Sequence, residues 1–266
     1  MLNLEFAQIS DVGRVRDHNE DYFGHALPAS ETEGRTHGWL FAVADGVGGE
    51  ERGEVASQTA IETLIDGFRA APRGEAHTVL MPRLLQRANT KIYELGRGAS
   101  PGGSRMATTI VACAFRYDRV VVAHVGDSRC YLIRHGLAMQ VTRDHTVVAE
   151  QVRLGLLSES EAAQAQTRHL LSRSLGNDLF VNVEIGDRQV QADDVLLLCS
   201  DGLHGPVRAS DIGEIVQWNP DLNVAARKLI TLANERDGGD NVSVQLIRVR
   251  DVERMGMYRG RPYKLR

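Results

Sequence analysis

The chain is short of the residues that several common functions require. Its three cysteines, Cys113, Cys130 and Cys199, are odd in number, show no C-x-x-C spacing and each sit inside an apolar run. That excludes a disulfide framework and a cysteine-ligated zinc site, and it reads as buried free thiols in a reducing compartment. Aromatic residues make up only 5% and the formal net charge is −4. The sequence therefore offers neither a base-stacking platform nor a basic footprint, so nucleic acid and anionic membranes are not expected partners. No apolar run approaches the ~20 residues of a membrane span, and Met1 to Ser10 has no signal-peptide pattern. What remains is a cytoplasmic globular protein, expected to be a monomer, with 42% apolar residues to build a core.

Strands and helices come in blocks. Leu4 to Ile9 alternates as a half-buried strand does, and Trp39 to Ala44 reads as a more deeply buried one. Ala56, Ala60, Ile61, Leu64, Ile65 and Phe68 recur at helical spacing, as do Leu84, Leu85, Ala88, Ile92 and Leu95 within 80–95. Pro82 is expected in the first turn of that second helix. Strands follow at 107–115, 120–125, 130–134 and 137–141, the last two joined by a turn at His135-Gly136. After a polar stretch from Asp144 to Leu175, with a capping-box start at Ser158–Glu161, come strands at 181–190 and 195–199. Helices at 210–218 and 222–236 and a strand at 242–249 complete the series. Paired helices and runs of strands argue against a doubly wound sheet and for α+β, a four-layer α-β-β-α sandwich of two mainly antiparallel sheets flanked by helix pairs. Stretches 70–77 and 96–105 read as exposed loops. Residues 1–250 read as one domain, and 251–266 as a basic tail that is expected to fray.

Four segments join an apolar strand to an aspartate: Val43-Ala44-Asp45-Gly46, His124-Val125-Gly126-Asp127, Cys199-Ser200-Asp201-Gly202 and Gly238-Gly239-Asp240-Asn241. Glu20-Asp21 lies upstream, behind Arg16. Each turn alone is ordinary, because Asp and Gly dominate turns for local reasons. Several together suggest carboxylates gathered from distant parts of the chain. Two carboxylates about 4 Å apart repel by roughly 4 kcal/mol at an effective dielectric near 20. Such a cluster takes up protons or holds cations. No matching set of lysines accompanies it, and an all-oxygen site suits Mg²⁺ or Mn²⁺.

In order, Gly13-Arg14-Val15-Arg16 with Asn19-Glu20-Asp21, Ala44-Asp45-Gly46-Val47-Gly48-Gly49, Val125-Gly126-Asp127-Ser128-Arg129, Ser200-Asp201-Gly202-Leu203 and Gly239-Asp240-Asn241-Val242-Ser243 closely resemble the blocks of the metal-dependent protein serine/threonine phosphatases, the PPM or type 2C family, in their compact bacterial form. The resemblance covers about residues 4–250 and implies the same four-layer sandwich with a dinuclear Mn²⁺/Mg²⁺ site at one end. By that resemblance Asp45 bridges the two metals and the Gly46 carbonyl binds the first. Asp201 and Asp240 bind the second, and Asp127 with Asp201 holds a weaker third ion. Glu20 and Asp21 orient metal-bound waters. Arg16 is the candidate for the substrate phosphate, since a planar guanidinium binds phosphate oxygens bidentately; Arg14 is read as a solvated surface residue.

The implied reaction is attack on a phosphate monoester by a water whose pKa two divalent ions have lowered. Eukaryotic relatives carry a histidine where this chain has Val47, so the leaving oxygen must be protonated from elsewhere. His18, His145 and His204 lie near motif segments and receive no catalytic role. Residues 144–175 correspond in place to the family's flap, from which Arg168, His169 and Arg173 are candidates to meet a phosphopeptide. The implied partners are phosphoserine and phosphothreonine proteins, the bacterial Ser/Thr kinase that the enzyme would oppose, and a forkhead-associated-domain protein. The alternatives are an inactive phosphoprotein-binding regulator, which would have lost a metal carboxylate, and a partner-switching phosphatase, which would carry a sensor or membrane domain. Asp45, Asp201 and Asp240 are all present and no such extra domain is evident.

Overall fold

The computed structural model describes residues 2–47, 52–98, 106–258 and 261–264; Gly48 and Gly49 of the second motif and most of the 96–105 stretch lie outside them. From the N-terminus, β1 (Asn3–Asp11) and β2 (Asp21–Ala26) lead through the short helix α1 (Glu31–Thr36) to β3 (Trp39–Val47). The helix pair α2 (Gly53–Arg69) and α3 (His77–Gly98) follows. Next come β4 (Ala107–Thr108), β5 (Ile110–Arg116), β6 (Arg119–Val125), β7 (Arg129–Arg134) and β8 (Leu137–Gln140). Two short helices, α4 (Val147–Arg153) and α5 (Glu159–Gln164), precede β9 (Glu184–Gln189) and β10 (Val195–Cys199). The chain ends with α6 (Asp201–His204), α7 (Ala209–Trp218), α8 (Leu222–Arg236), β11 (Val242–Asp251), β12 (Met255–Tyr258) and β13 (Arg261–Lys264).

One sheet has the order β1-β11-β10-β7-β8 and the other β2-β3-β5-β6-β9, and the pairings within both are antiparallel. Period-two alternation sorts their side chains into three cores. β3 sends Leu40, Ala42 and Ala44 outward against α2 and α3, and Phe41 and Val43 inward against the other sheet. β10 does the same, with Leu197 and Cys199 on the α7–α8 side and Leu196 and Leu198 in the inter-sheet core. Strands covered on both faces read as unbroken apolar runs, although antiparallel strands more often alternate. Each fully buried Leu, Ile or Phe contributes roughly 1.5–3 kcal/mol. The expected four layers are therefore present.

Several local expectations change. β2 and α1 were not expected, because Asp21–Ala26 carries no clean alternation and α1 is a six-residue helix started by the Ser30 cap. Helix α3 begins at His77, so Pro82 lies inside it rather than in its first turn, and the Thr78 carbonyl has no N–H at Pro82 to accept. The strand expected over 181–190 is shortened to β9. The tail expected to fray extends β11 to Asp251 and closes as the antiparallel ribbon β12–β13; Arg259, Gly260, Leu265 and Arg266 lie outside the described residues.

The topology also decides where the aspartates go. Register pairs Asp11 with Val242, Val244 with Cys199, and Cys199 with Arg129, so these chain ends share one rim of the first sheet. In the second sheet Asp21 pairs with Asp45, and Ile110 with Val125, on one rim. The turn containing Gly126-Asp127 joins Val125 of one sheet to Arg129 of the other, so the two rims adjoin.

Candidate active site

Asp45 ends the buried part of β3 with its backbone held on both sides. Its carbonyl accepts from Thr108 Oγ1 at 2.8 Å and from the Thr109 N–H at 2.8 Å, and its own N–H donates to Thr109 Oγ1 at 3.1 Å. Thr109 Oγ1 lies 2.6 Å from Ser128 Oγ, which ties the Asp45 strand to the Asp127 turn. Gly46 donates its N–H to the Glu20 carbonyl at 3.1 Å. A β-carbon on Gly46 would collide with the Gly53 backbone, and one on Gly53 would come within 2.8 Å of the Glu20 carboxylate. This close approach is what requires glycine at both positions.

The fourth and fifth motifs brace the first. Asn241 accepts the Glu20 N–H at 2.8 Å and donates to the carbonyls of Val12 and His18, both at 2.9 Å. Ser200 donates to Asp21 Oδ2 at 2.7 Å and accepts the Ser243 N–H at 2.9 Å. Asn241, Ser200, Thr108, Thr109 and Ser128 thus position the acids, and sequence reasoning assigned them nothing. Their signal was weak: three of the five stand beside a motif aspartate, but nothing in the spacing names a partner.

The structure brings Asp21, Asp45, Asp127, Asp201 and Asp240 within electrostatic reach of one another, and their protonation shows it. Burial, then the charges of Asp21 and Asp201, push Asp45 well above the usual carboxylate range. Burial followed by the charge of Asp201 raises Asp127 to about 7. Burial also raises Asp21 to about 7, against the opposing hydrogen bonds of Ser200 and Ser243, and its Oδ1 is buried without a partner. Asp201 goes the other way: burial opposes its charge, but the neighbouring His169, His204 and Asp45 hold it below the usual carboxylate value. Crowded acids that must protonate, one with an orphaned oxygen, form an oxygen-only donor set suited to hard divalent cations.

Arg16 lies at the edge of this cluster, and its guanidinium forks onto Asp240, Nε at 3.0 Å from Oδ1 and Nη2 at 3.1 Å from Oδ2. Glu20 is partly buried and raised by that burial and by Glu54. Arg14 packs its stem on Gly238 and does not line the cavity described next.

A cavity of about 1190 Å³ opens over the acids. It is lined by Arg16, Asp127, Asp201 and Asp240 and by residues of α4 and α5 in the 144–175 segment. His169 reaches down from that segment to 3.7 Å from Asp201, and Arg168 donates to its Nε2 at 2.8 Å. Arg173, also expected to face a phosphopeptide, does not line this cavity. Its guanidinium lies 3.6 Å from Glu150 and 3.4 Å from His145 Nε2 at the base of the flap.

A second cluster, His124, His145 and Glu184, brings its ligand-type atoms within 4.8 Å of one another. The Gly126 N–H donates to His145 Nδ1 at 3.2 Å, which leaves the proton on Nε2, facing Glu184 at 3.2 Å. His124 Nε2 donates to the Arg143 carbonyl at 2.8 Å. The rings are stacked, 15° apart with centroids at 4.7 Å. One ion ~2.1 Å from each nitrogen would have to lie in both ring planes at once, so the trio is a hydrogen-bonded brace rather than a metal site. Burial lowers both imidazoles, His145 to about 4. The brace joins the Asp127 turn to the flap: His145 N–H bonds the Gly126 carbonyl at 3.0 Å, and Ser172 N–H bonds the His145 carbonyl at 2.8 Å. His204 Nε2 similarly lies 3.0 Å from the Asp127 carbonyl, and burial lowers it to about 4.

Comparison with known proteins identifies the family. A family profile described as protein phosphatase 2C matches residues 14–232. The chain is 35% identical over 258 residues to the serine/threonine phosphatase stp of Listeria monocytogenes serotype 4b, covering 96% of this chain and 98% of that one. It is 32% identical over 252 residues to the protein phosphatase PhpP of Streptococcus pneumoniae serotype 2, covering 92% and 97%. The solved Mycobacterium tuberculosis serine/threonine phosphatase PstP matches with a TM-score of 0.83 at 34% identity, over 94% of this chain and all of that one. A PstP catalytic domain in complex with two manganese ions matches at 0.81 and 35%, with the same coverage. The chain belongs to the protein phosphatase 2C family and is a protein phosphatase of the bacterial serine/threonine type. Among the described residues no helix is long and apolar enough to cross a membrane.

Proposed function

We propose that this protein hydrolyses phosphoserine and phosphothreonine on proteins with the help of two Mn²⁺ or Mg²⁺ ions, opposing a Ser/Thr kinase in the cytoplasm. The observation that carries this reading is the convergence of carboxylates from five distant segments, so crowded that Asp45 and Asp127 are driven toward their neutral forms. Asp45, the Gly46 carbonyl, Asp201 and Asp240 are the residues that would hold the pair, with Asp127 available to a weaker third ion. Bound there, divalent ions supply an activated water and charge for the phosphate. The protein's own groups do the rest. Thr108, Thr109 and Ser128 hold Asp45 and Asp127 in register. Asp21 and Glu20, fixed by Ser200 and Asn241, accept hydrogen bonds from waters in the cluster. Arg16 exchanges its Asp240 partner for the phosphate oxygens of the substrate, which its fork fits bidentately.

The test is turnover of an aryl phosphate and a phosphothreonine peptide by protein stripped of metal, before and after Mn²⁺ is restored. Activity is expected only in the restored sample. Full activity in excess chelator would overturn the reading.

A further inference from the structure

Among the described residues, the flap wall of the cavity carries one positive charge that the protein itself does not use. Most guanidinium groups around the cavity are engaged: Arg16 with Asp240, Arg129 with Asp144, Arg143 with Glu184 and Arg236 with Asp211. Arg168 donates to His169. Arg153, the last residue of α4, differs. It is exposed, it lines the cavity, and it has no hydrogen bond or ion pair to any described residue, Glu159 of α5 on the same wall included.

Helix geometry sets its distance from the acids. Thr146 caps α4 immediately after His145, whose N–H is bonded to the carbonyl of Gly126 beside Asp127. Seven helical residues at 1.5 Å rise carry Arg153 ~10 Å from that anchor. An extended peptide advances ~3.3 Å per residue, so a substrate residue about three places from the phosphorylated one comes level with it. Between the anchor and Arg153, α4 lines the cavity with Ala149 and Val152, which bring no competing charge. The cavity is far larger than a phosphoryl group needs, so it has room for those flanking residues.

We propose that Arg153 is a specificity-determining residue that selects phosphoproteins carrying Asp or Glu about three residues from the phosphorylated serine or threonine. The inference rests on the phosphatase reading above. It does not follow from position at a helix end alone. A guanidinium in the last turn of a helix also favours the helix dipole, but that role alters stability and leaves the choice between peptides untouched.

The experiment measures kcat/KM in Mn²⁺ for phosphothreonine peptides that are identical except for Asp, Ala or Arg three places to either side. The readout is the ratio of the acidic to the basic peptide within one protein sample, which any loss of folded or metal-loaded enzyme cancels. Wild type is expected to favour the acidic peptide by ~3- to 10-fold, the scale of one exposed ion pair gained and one like-charge contact avoided. The ratio should fall toward one at roughly 1 M salt, where the Debye length is ~3 Å. Arg153→Gln should flatten it and Arg153→Glu should invert it. Equal use of the peptides by wild type, a basic preference, or an acidic preference that survives Arg153→Glu would each overturn the proposal. Failure of the phosphatase reading looks different: no peptide and no aryl phosphate would be turned over by the wild type at all.

Discussion

Replacing Asp127 with Asn should stabilise the metal-free protein most at pH 8 and by clearly less at pH 5. In the fold, burial and the charge of Asp201 raise the Asp127 carboxyl from 3.8 to about 7. The folded state therefore binds a proton between those values that the unfolded chain has released, so stability is greatest below the unfolded pKa and falls as pH rises toward 7. A shift of about three units corresponds to about 4 kcal/mol in full at 1.36 kcal/mol per unit. Between pH 5 and 8 the titrating fraction is about 2.5 kcal/mol. For a chain of this size that is a melting shift of ~5–10 °C. The assay is thermal unfolding by circular dichroism in chelator across that range, wild type against Asp127→Asn, so that titrations common to both cancel. The two curves should converge at low pH and separate at high pH, with the variant more stable. Saturating Mn²⁺ should remove most of the wild-type slope, because the acids then face cations. Parallel curves in chelator, or a variant less stable than wild type at pH 8, would refute the argument that these carboxylates repel one another in the fold.

Asp201→Asn and Asp240→Asn should each abolish most turnover while calorimetry shows both proteins folded, since each change removes a proposed cation ligand and also relieves repulsion; near-normal turnover in either would remove that residue from the ligand set. Arg16→Ala should lower kcat/KM for phosphopeptides by about one to two decades, the scale of a charge-assisted contact of roughly 1.5–3 kcal/mol, with Mn²⁺ affinity nearly unchanged. Arg14→Ala should be the milder variant, because Arg14 does not line the cavity, and the reverse order would reassign the phosphate contact.

Much of this was legible in one dimension. Unbroken apolar runs along 39–44 and 195–199 and the 3.6-residue spacing along 56–68 and 80–95 are local patterns, and local patterns mark which faces must be buried. Blocks of strands and paired helices then leave few ways to cover those faces, so the four layers followed. The aspartate turns were legible too, because Asp-Gly after an apolar strand is a local signal. What the chain order alone could not state was proximity. Asp21 and Asp45 become register partners through β2, a strand whose sequence shows no alternation. Thr108, Thr109 and Asn241 gain their roles from partners 63, 64 and 221 residues away. Arg173 and Arg153 lie twenty residues apart in one polar segment, yet the fold turns one into a flap brace with His145 and Glu150 and leaves the other facing the cavity. Side-chain chemistry and periodicity are carried by each residue and its neighbours, and so can be read from the sequence. Which charges meet, which are paired off and which remain free for a substrate depends on sheet register and loop closure, which only the tertiary structure decides.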